Sequence, residues 1–421
     1  MKILSLFDGM ACGMLAMQSA GLEVERYVAY EIDKYAIQTS THNFPMIEHR
    51  GDVFEADFTE FEGFDFLVGG SPCTYWSIAQ KNNRETEASG MGWELFSQYV
   101  RALHEARPRF FIYENNKSMS KAIRASIDEA FGFEAVGINS ALVSAQNRQR
   151  LYWVGKRNED GTYSKVGVEQ PEDRGVLLKY VLDGVTDREK GRAVIGSIGR
   201  TTTREYFVKQ QGTMAYEPVR IPEYGVADKS RPVTACYAHK GSGEGSLATE
   251  CFPDNPNKQV RDYVAEPVRV GTYPNNAKNQ DHDSQQYRIY STEGKSVTLC
   301  GNGDGMGAKT GLYAIPVEFD GRTPIKAVSA ADGKTHQVYE VKDGQITIKD
   351  KQYPIKLLDG FYIIRKLTVR ECMRLQTVPE RFEFPVSDTQ AYKMLGNGWT
   401  VDVIARILIS IAEKGVLDVV L

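Results

Sequence analysis

A cysteine follows directly on an apolar run in Val68-Gly69-Gly70-Ser71-Pro72-Cys73. Two glycines and a proline define the backbone path of that turn, and a thiol held at the end of a rigid strand is both aimed and accessible. Such a thiolate can act as a nucleophile when an acid and a cation stand beside it. By itself the same cysteine would serve equally well as a small buried apolar residue. An acid is available in Phe110-Phe111-Ile112-Tyr113-Glu114-Asn115-Asn116, where a second apolar run ends in Glu114. Cations are available in Gln146-Asn147-Arg148-Gln149-Arg150, ahead of a third apolar run. In an extended segment Gln146, Arg148 and Arg150 would share one direction, because side chains alternate with period two. Taken singly, Glu114 reads as the neighbour of a helix N-cap and the arginines as a solvated edge.

A second constellation suits a nucleoside-bearing ligand. The first strand pattern runs into Phe7-Asp8-Gly9-Met10-Ala11-Cys12-Gly13 and then into a helix. Glycines let backbone amides approach a ligand, and a helix N-terminus favours anionic groups. Glu31 ends the next strand pattern about 20 residues further on, the place of an acid that binds ribose hydroxyls. Gly51-Asp52-Val53 adds another acid, suited to an adenine amino group. The glycine spacing does not match G-x-G-x-x-G, so these residues do not separate a nicotinamide dinucleotide from S-adenosylmethionine.

These groups need strands to hold them. Residues 3–7, 24–31, 64–68, 110–113 and 151–154 read as strands, and 14–20, 34–43, 93–106 and 117–130 as helices. The alternation predicts an α/β fold, a doubly wound and largely parallel Rossmann-like sheet with ligands at the carboxyl ends of its strands. Beyond about residue 185 helical periodicity fades into short β-like stretches, with Glu217-Pro218-Val219-Arg220 echoed by Glu266-Pro267-Val268-Arg269. A hairpin is expected around Asp343-Gly344. Helical character returns near Arg365, with a Thr-x-x-Glu capping pattern at Thr368 and Glu371 and an amphipathic final helix over 399–413. The domains expected are 1–185, catalytic and cofactor-binding; 186–364, mainly β; and 365–421, returning to the first.

The chain has 421 residues, 42% hydrophobic and 25% charged, which is ordinary for a globular protein of two or three domains. Six scattered cysteines without a Cys-x-x-Cys pair, and six histidines, argue against a disulfide framework or a metal site and fit a reducing cytoplasm. The first residues read as a strand, so neither a signal peptide nor a membrane anchor is expected. A net charge of −4 excludes a uniformly basic surface but leaves room for one basic cleft.

Taken together, these motifs resemble the DNA (cytosine-5) methyltransferase family of phage and bacterial type. The Phe-Asp-Gly loop resembles its cofactor motif, Gly-Gly-Ser-Pro-Cys its nucleophile motif, Glu114-Asn115 its glutamate-asparagine motif, and Gln146-x-Arg148-x-Arg150 its Q-x-R-x-R motif. The run from Arg365 to Cys372 resembles the segment supporting the family's target-recognition domain, and Leu395-Gly396-Asn397-Gly398-Trp399-Thr400-Val401 its last motif. All six stand in the family's order. One departure is Thr74-Tyr75-Trp76-Ser77 after the cysteine, where many members have glutamine.

The resemblance implies methyl transfer from S-adenosylmethionine, leaving S-adenosylhomocysteine, to C5 of a cytosine flipped out of double-stranded DNA, through a covalent Cys73–C6 adduct and without a metal. Glu114 would bind N3 and the exocyclic amine, Arg148 would contact the base O2, and Arg150 would orient the loop or a phosphate. Phe7, Asp8, Gly9, Met10, Gly13, Glu31, Ile32, Asp52, Val53, Pro72, Asn397 and Trp399 would line the cofactor pocket. The polar stretch 75–92 would form a mobile lid, with Ser77 and Gln80 near DNA. Glycine-rich loops at 239–245 and 301–311 would read bases, with Lys240, Lys295 and Lys309 on phosphates. The expected partners are DNA and a cognate restriction endonuclease of the same system, for a monomer in the cytoplasm of a bacterial or phage-infected cell, with no membrane. The same chemistry on RNA, an NAD-dependent oxidoreductase using Cys73, and a non-catalytic DNA-binding module are the competing readings.

Overall fold

The computed structural model describes residues 1–77, 84–177, 180–181, 267–272, 288–292, 294–297, 312–317, 327–329, 335–348, 350–355, 357–365 and 367–413. These fall into two compact units. One holds Met1–Gly175 and the described part of Cys372–Leu421, and the other the described residues of 176–296 and 310–371.

In the first unit β1 (Lys2–Leu6), β2 (Arg26–Tyr30), β3 (Glu48–His49), β4 (Phe66–Gly69) and β5 (Phe110–Asn116) are parallel neighbours in the order β3-β2-β1-β4-β5. Beyond β5 the sheet continues antiparallel through β7 (Gln149–Arg157), which β6 (Val136–Asn139) and β8 (Tyr163–Lys165) flank. The expected doubly wound α/β sheet is therefore present, with an antiparallel edge that periodicity alone did not reveal. β4 and β5 are buried along their whole length, as parallel strands covered on both faces must be. For β5 that burial includes Glu114, Asn115 and Asn116, whose polar groups must then find partners.

The connecting helices are α1 (Cys12–Ser19), α2 (Lys34–Asn43), α3 (Gly90–Ala106) and α4 (Lys121–Phe131). Local chemistry sets several of their ends. The Asp33 carboxylate accepts from the Tyr35 amide at the start of α2, and Ser120 Oγ accepts from the Ile123 amide at the start of α4, which stops at Gly132 in the left-handed region. After the second unit come α5 (Val369–Leu375), α6 (Asp388–Asn397) and α7 (Val401–Glu413). The capping pattern at Thr368 and Glu371 is made reciprocally, at 2.7 and 3.1 Å. α7 packs against α1 and buries Val403, Ile404, Ile407, Leu408 and Ile411, the apolar side legible in its sequence. Asp388–Glu413 is long and apolar enough to cross a membrane, but it breaks at Gly398 and is 67% buried, as core helices are.

The winding direction reverses between β1 and β4, because β2 and β3 lie to one side and β5 to the other. At such a switch point the loops after the two strands diverge and leave a crevice at their carboxyl ends. The loop after β1 is Phe7 to Ala11, and the loop after β4 carries Gly70 to Cys73.

In the second unit the described strands form a sheet in the order β15-β14-β13-β16-β11-β10-β9, with β12 paired to β13. Their limits are Arg269–Thr272 (β9), Arg288–Ser291 (β10), Leu312–Val317 (β11), Ala327–Ser329 (β12), Thr335–Lys342 (β13), Gln345–Ile348 (β14), Lys351–Pro354 (β15) and Gly360–Arg365 (β16). β10 and β11 are parallel and the other pairs antiparallel. Asp343 and Gly344 both have positive φ, 53° and 68°, as a two-residue hairpin turn requires. The echo at 217–220, the loops at 239–245 and 301–311, Gln80, Lys240 and Lys309 lie outside the described residues. Lys295, expected on a DNA phosphate, is instead buried, and its ammonium donates to the Val176 carbonyl at 2.7 Å. An ammonium committed to the interior in this way is not available to a phosphate.

Candidate active site

Two close approaches explain the paired glycines ahead of Cys73. A Cβ on Gly69 would stand 2.6 Å from the Leu6 carbonyl oxygen of β1. One on Gly70 would stand 2.6 Å from the Glu114 carbonyl oxygen and 3.0 Å from Glu114 Oε2. Only glycine lets this backbone pass between its neighbours, and the same passage brings the Ser-Pro-Cys loop alongside the Glu114 carboxylate. β4 and β5 are parallel, with Gly69 opposite Tyr113, so Cys73, beyond the end of β4, and Glu114, in the last part of β5, lie at the same carboxyl end of the sheet. Asn115 fastens the two loops together. Its Nδ2 donates to the Ser71 carbonyl at 3.1 Å, while Ser71 Oγ and the Tyr113 hydroxyl lie 2.6 Å apart.

Glu114 is buried and held from two sides. Arg150 Nε lies 3.0 Å from its Oε1, and the Trp399 indole Nε1 donates to its Oε2 at 2.9 Å. Register explains the arginine. Asn116 faces Arg150 and Glu114 faces Tyr152, so Arg150 is the diagonal neighbour of Glu114 on the adjacent strand. Arg148 precedes β7 and lies outside that ladder. Its buried guanidinium donates to the Gly396 and Gly398 carbonyls at 3.0 and 2.9 Å. Arg150 thus stands beside the acid, while Arg148 holds the end of α6 and the glycine that follows it. Gln146 is buried beside them, and its Nε2 donates to the Leu375 carbonyl at 3.2 Å.

Gln376 completes the hold on that C-terminal loop. Fully buried, it donates to the Leu395 carbonyl at 2.6 Å and accepts from Thr400 Oγ1 at 2.8 Å, and Thr400 also meets Ser140 Oγ at 2.8 Å. Sequence reasoning missed Gln376, whose only local signal is its place just after a capped helix.

The stretch after Cys73 is anchored at both ends rather than loose throughout 75–92. Trp76 is fully buried and donates Nε1 to Glu85 Oε2 at 3.0 Å, while Glu85 also accepts from the Gly92 amide. Arg84 donates to the carbonyls of Trp76 and Ser118. The departure at Thr74-Tyr75-Trp76 thus supplies the indole that holds the base of this segment. Ser77, next in line, is half-buried.

On the β1–β2 side the loop Phe7 to Ala11 places Phe7, Gly9 and Ala11 in the left-handed region, with φ of 57°, 59° and 66°. For the two non-glycine residues this is a strained conformation of the kind that persists at ligand sites. Nothing lies within 4 Å of where a Gly9 Cβ would be, so the backbone there borders open space. Gly13 is small for a different reason: a Cβ there would lie 2.5 Å from the Tyr27 hydroxyl. Met10 is buried below the loop, as is Asp8. Asp8 Oδ1 accepts from Ser5 Oγ at 2.6 Å and the Tyr27 hydroxyl at 2.7 Å, and its Oδ2 has no partner. Burial pushes the Asp8 carboxyl up to about 6, against the two hydrogen bonds that favour its ionised form. Burial likewise pushes the Cys12 thiol up to about 12, so it is a core residue and not a second nucleophile.

Glu31 curls over this loop, accepting from the amides of Gly9, Ile32 and Asp33, each at 2.8 Å. Beside it Ile32 is 73% exposed, an apolar side chain with nothing above it. Asp52 caps the turn that begins at Val53, and Asp33 pairs with Lys393 at 2.7 Å. Open backbone at Gly9, an acid at each of two strand ends, an uncovered apolar side chain and an unsatisfied buried carboxylate oxygen fit the chemistry of S-adenosylmethionine. Its hydroxyls and amines need acceptors, its adenine needs an apolar face, and its methionine carries an ammonium.

A family model for C-5 cytosine-specific DNA methylase matches residues 1–413. The chain is 26% identical to the orphan methyltransferase M.SPRI of Bacillus phage SPR, covering 97% of this chain and 96% of that one. It is also 26% identical to the orphan methyltransferase M.Rho11sI of Bacillus phage rho11s, over 82% of this chain and 68% of the relative. Among solved structures, the Entamoeba histolytica methyltransferase EhMeth is similar in fold, with a TM-score of 0.50 at 10% identity, covering 98% of each chain.

Proposed function

The chain belongs to the C-5 cytosine-specific DNA methylase family and transfers methyl groups to cytosine in DNA, and we propose that it does so from S-adenosylmethionine through a covalent adduct between Cys73 and C6 of a cytosine flipped from the duplex. The observation that carries this reading is the passage of Gly70 alongside Glu114, which sets the Cys73 loop next to a buried acid held by Arg150 and Trp399.

Cytosine C5 is a weak nucleophile. Addition of the Cys73 thiolate to C6 forms an S–C6 bond and moves the C5–C6 π pair onto C5, while N3 takes up a proton from the Glu114 carboxyl and returns it when the adduct breaks down. Glu114 accepts hydrogen bonds from N3–H and the exocyclic amine as that charge develops. Arg150, paired with Glu114 Oε1, would meet the base O2. S-adenosylmethionine, when bound, supplies an electrophilic methyl group to C5. The C5 proton then leaves to a base, the C6–S bond breaks, the C5–C6 double bond is restored and the thiolate returns to Cys73. A stacked base exposes neither C5 nor C6 to this site, so the nucleotide must leave the helix at a cost of a few kcal/mol.

Phe7, Gly9, Glu31, Ile32 and Asp52 would hold the cofactor, with Asn397 and Trp399 on its C-terminal side. Double-stranded DNA would be the substrate; type II methyltransferases among the relatives support a restriction-modification setting with a cognate endonuclease, and the orphan phage enzymes a stand-alone one. Bisulfite sequencing of DNA from cells expressing the chain is expected to show protected cytosines in a fixed sequence context, absent with Cys73→Ala. DNA carrying 5-fluorocytosine should stay attached to the wild type through denaturation, since fluorine does not leave as a proton. A wild type that methylates normal DNA but fails to trap the fluorinated base would sink the covalent mechanism.

A further inference from the structure

We infer that Trp399 is a positioning residue for Glu114, acting through its indole N–H in addition to any cofactor contact of its ring. This rests on the reading of Glu114 as the acid that faces the base. Arg150 and Trp399 each address a different oxygen of the carboxylate, at 3.0 and 2.9 Å. One donor would leave the carboxylate free to rotate about that contact. Two donors on separate oxygens fix both its position and the plane in which its remaining lone pairs point.

The indole is itself rigidly mounted. The carbonyls of Gly396 and Gly398 are held by Arg148, and Leu395 and Thr400 by Gln376. Gly398 cannot carry a side chain without crowding, since its Cβ would lie 3.0 Å from the Met394 carbonyl and 3.1 Å from Cys12 Sγ. A tryptophan suits the task because its single N–H donates and neither accepts nor titrates. It therefore fixes the acid without competing for the proton that the ring takes up.

The test replaces the N–H and keeps the shape. Residue 399 is changed to 3-benzothienylalanine, in which sulfur stands in place of the indole N–H, and separately by Trp399→Phe. Three readouts are compared with wild type: S-adenosylhomocysteine affinity by calorimetry, single-turnover methyl transfer, and release of tritium to water from [5-³H]cytosine DNA without a methyl donor. In that last reaction the thiolate adds to C6, C5 takes a proton from water, C5 loses tritium, and elimination restores cytosine and thiolate. It reports the acid's work without cofactor.

In both variants exchange and transfer are expected to fall about 10- to 100-fold, the effect of one charge-assisted hydrogen bond, with homocysteine-nucleoside affinity within about threefold. Weakened affinity with unchanged exchange would make Trp399 a cofactor residue only and overturn the inference. An unchanged benzothienyl variant would do the same, whatever Trp399→Phe does, because only the N–H is then missing. Equal loss of all three readouts in both variants would assign the effect to packing and also overturn it. A wild type that neither exchanges nor methylates cytosine brings down the functional reading itself, a result separable from all of these.

Discussion

The two sides of the crevice satisfy their polar groups by different means. On the β1–β2 side the partners are mostly close in sequence: Glu31 takes the amides of Ile32 and Asp33, and Asp52 and Asp33 each cap the turn they begin. Gly9, 22 residues away, is the farthest partner of Glu31. On the β5–β7 side the partners are distant. Trp399 reaches Glu114 across 285 positions, and Arg148 reaches Gly398 across 250. Local turns can form and adjust singly, whereas the second arrangement exists only when sheet, α6 and α7 have all packed. Removing one member there leaves another buried group unsatisfied, so single substitutions should cost more on the β5–β7 side.

The sharpest break is Glu114→Gln, which keeps the shape and removes the charge. Single-turnover methyl transfer should fall about 10³-fold, in the range of lost acid–base assistance. A loss below tenfold would mean that this side does not carry the reaction. Arg148→Ala removes the donor to the Gly396 carbonyl and leaves the Gly398 carbonyl with Gln376 Nε2 alone, and should destabilise the protein by about 3 kcal/mol in urea denaturation. If that variant is as stable as wild type, the long-range side is no more coupled than the local one.

Asp8 probes the local side through pH. Its folded value, about 6, lies above the ordinary aspartate value of 3.8, so between those limits the native state holds a proton that the unfolded state has released. Stability linked to Asp8 is therefore complete below pH 4 and lost as pH rises through 6, by about 3 kcal/mol in order of magnitude. Asp8→Asn should abolish that fall, so the difference between its unfolding free energy and that of wild type should change by this amount between pH 4 and pH 7. The smallest effect is expected at Glu31→Ala, where the cofactor KM should rise about tenfold with kcat nearly unchanged, since ground-state binding alone is lost.

Much of the local side was legible in the sequence. The limits of α2 were read as 34–43 and observed as Lys34–Asn43, because Asp33 caps one end and the apolar pattern ends at the other. The turn at Asp343-Gly344, the reciprocal cap at Thr368 and Glu371 and the apolar side of α7 likewise depend on neighbours within a few residues. β6 and β8 were not legible, being short strands whose pairing with β7 no local pattern signals. Trp76 stood out as a departure but gave no hint of its partner Glu85, since side-chain pairing across a loop leaves no periodic trace.

The sequence by itself determined the chemical inventory and its order: a cysteine after two obligatory glycines, an acid ending a buried strand, two arginines, and a loop with an acid beyond it. Strand, turn and cap preferences act over a few residues, so they can be read one segment at a time. The tertiary structure decided which groups meet. Because β7 runs antiparallel beside β5, Arg150 and not Arg148 falls on the diagonal to Glu114. Because α7 packs on α1 and Gln376 and Arg148 hold the loop before it, Trp399 arrives at the same carboxylate. Those meetings depend on strand register and on helix packing across most of the chain, and spacing along the sequence encodes neither.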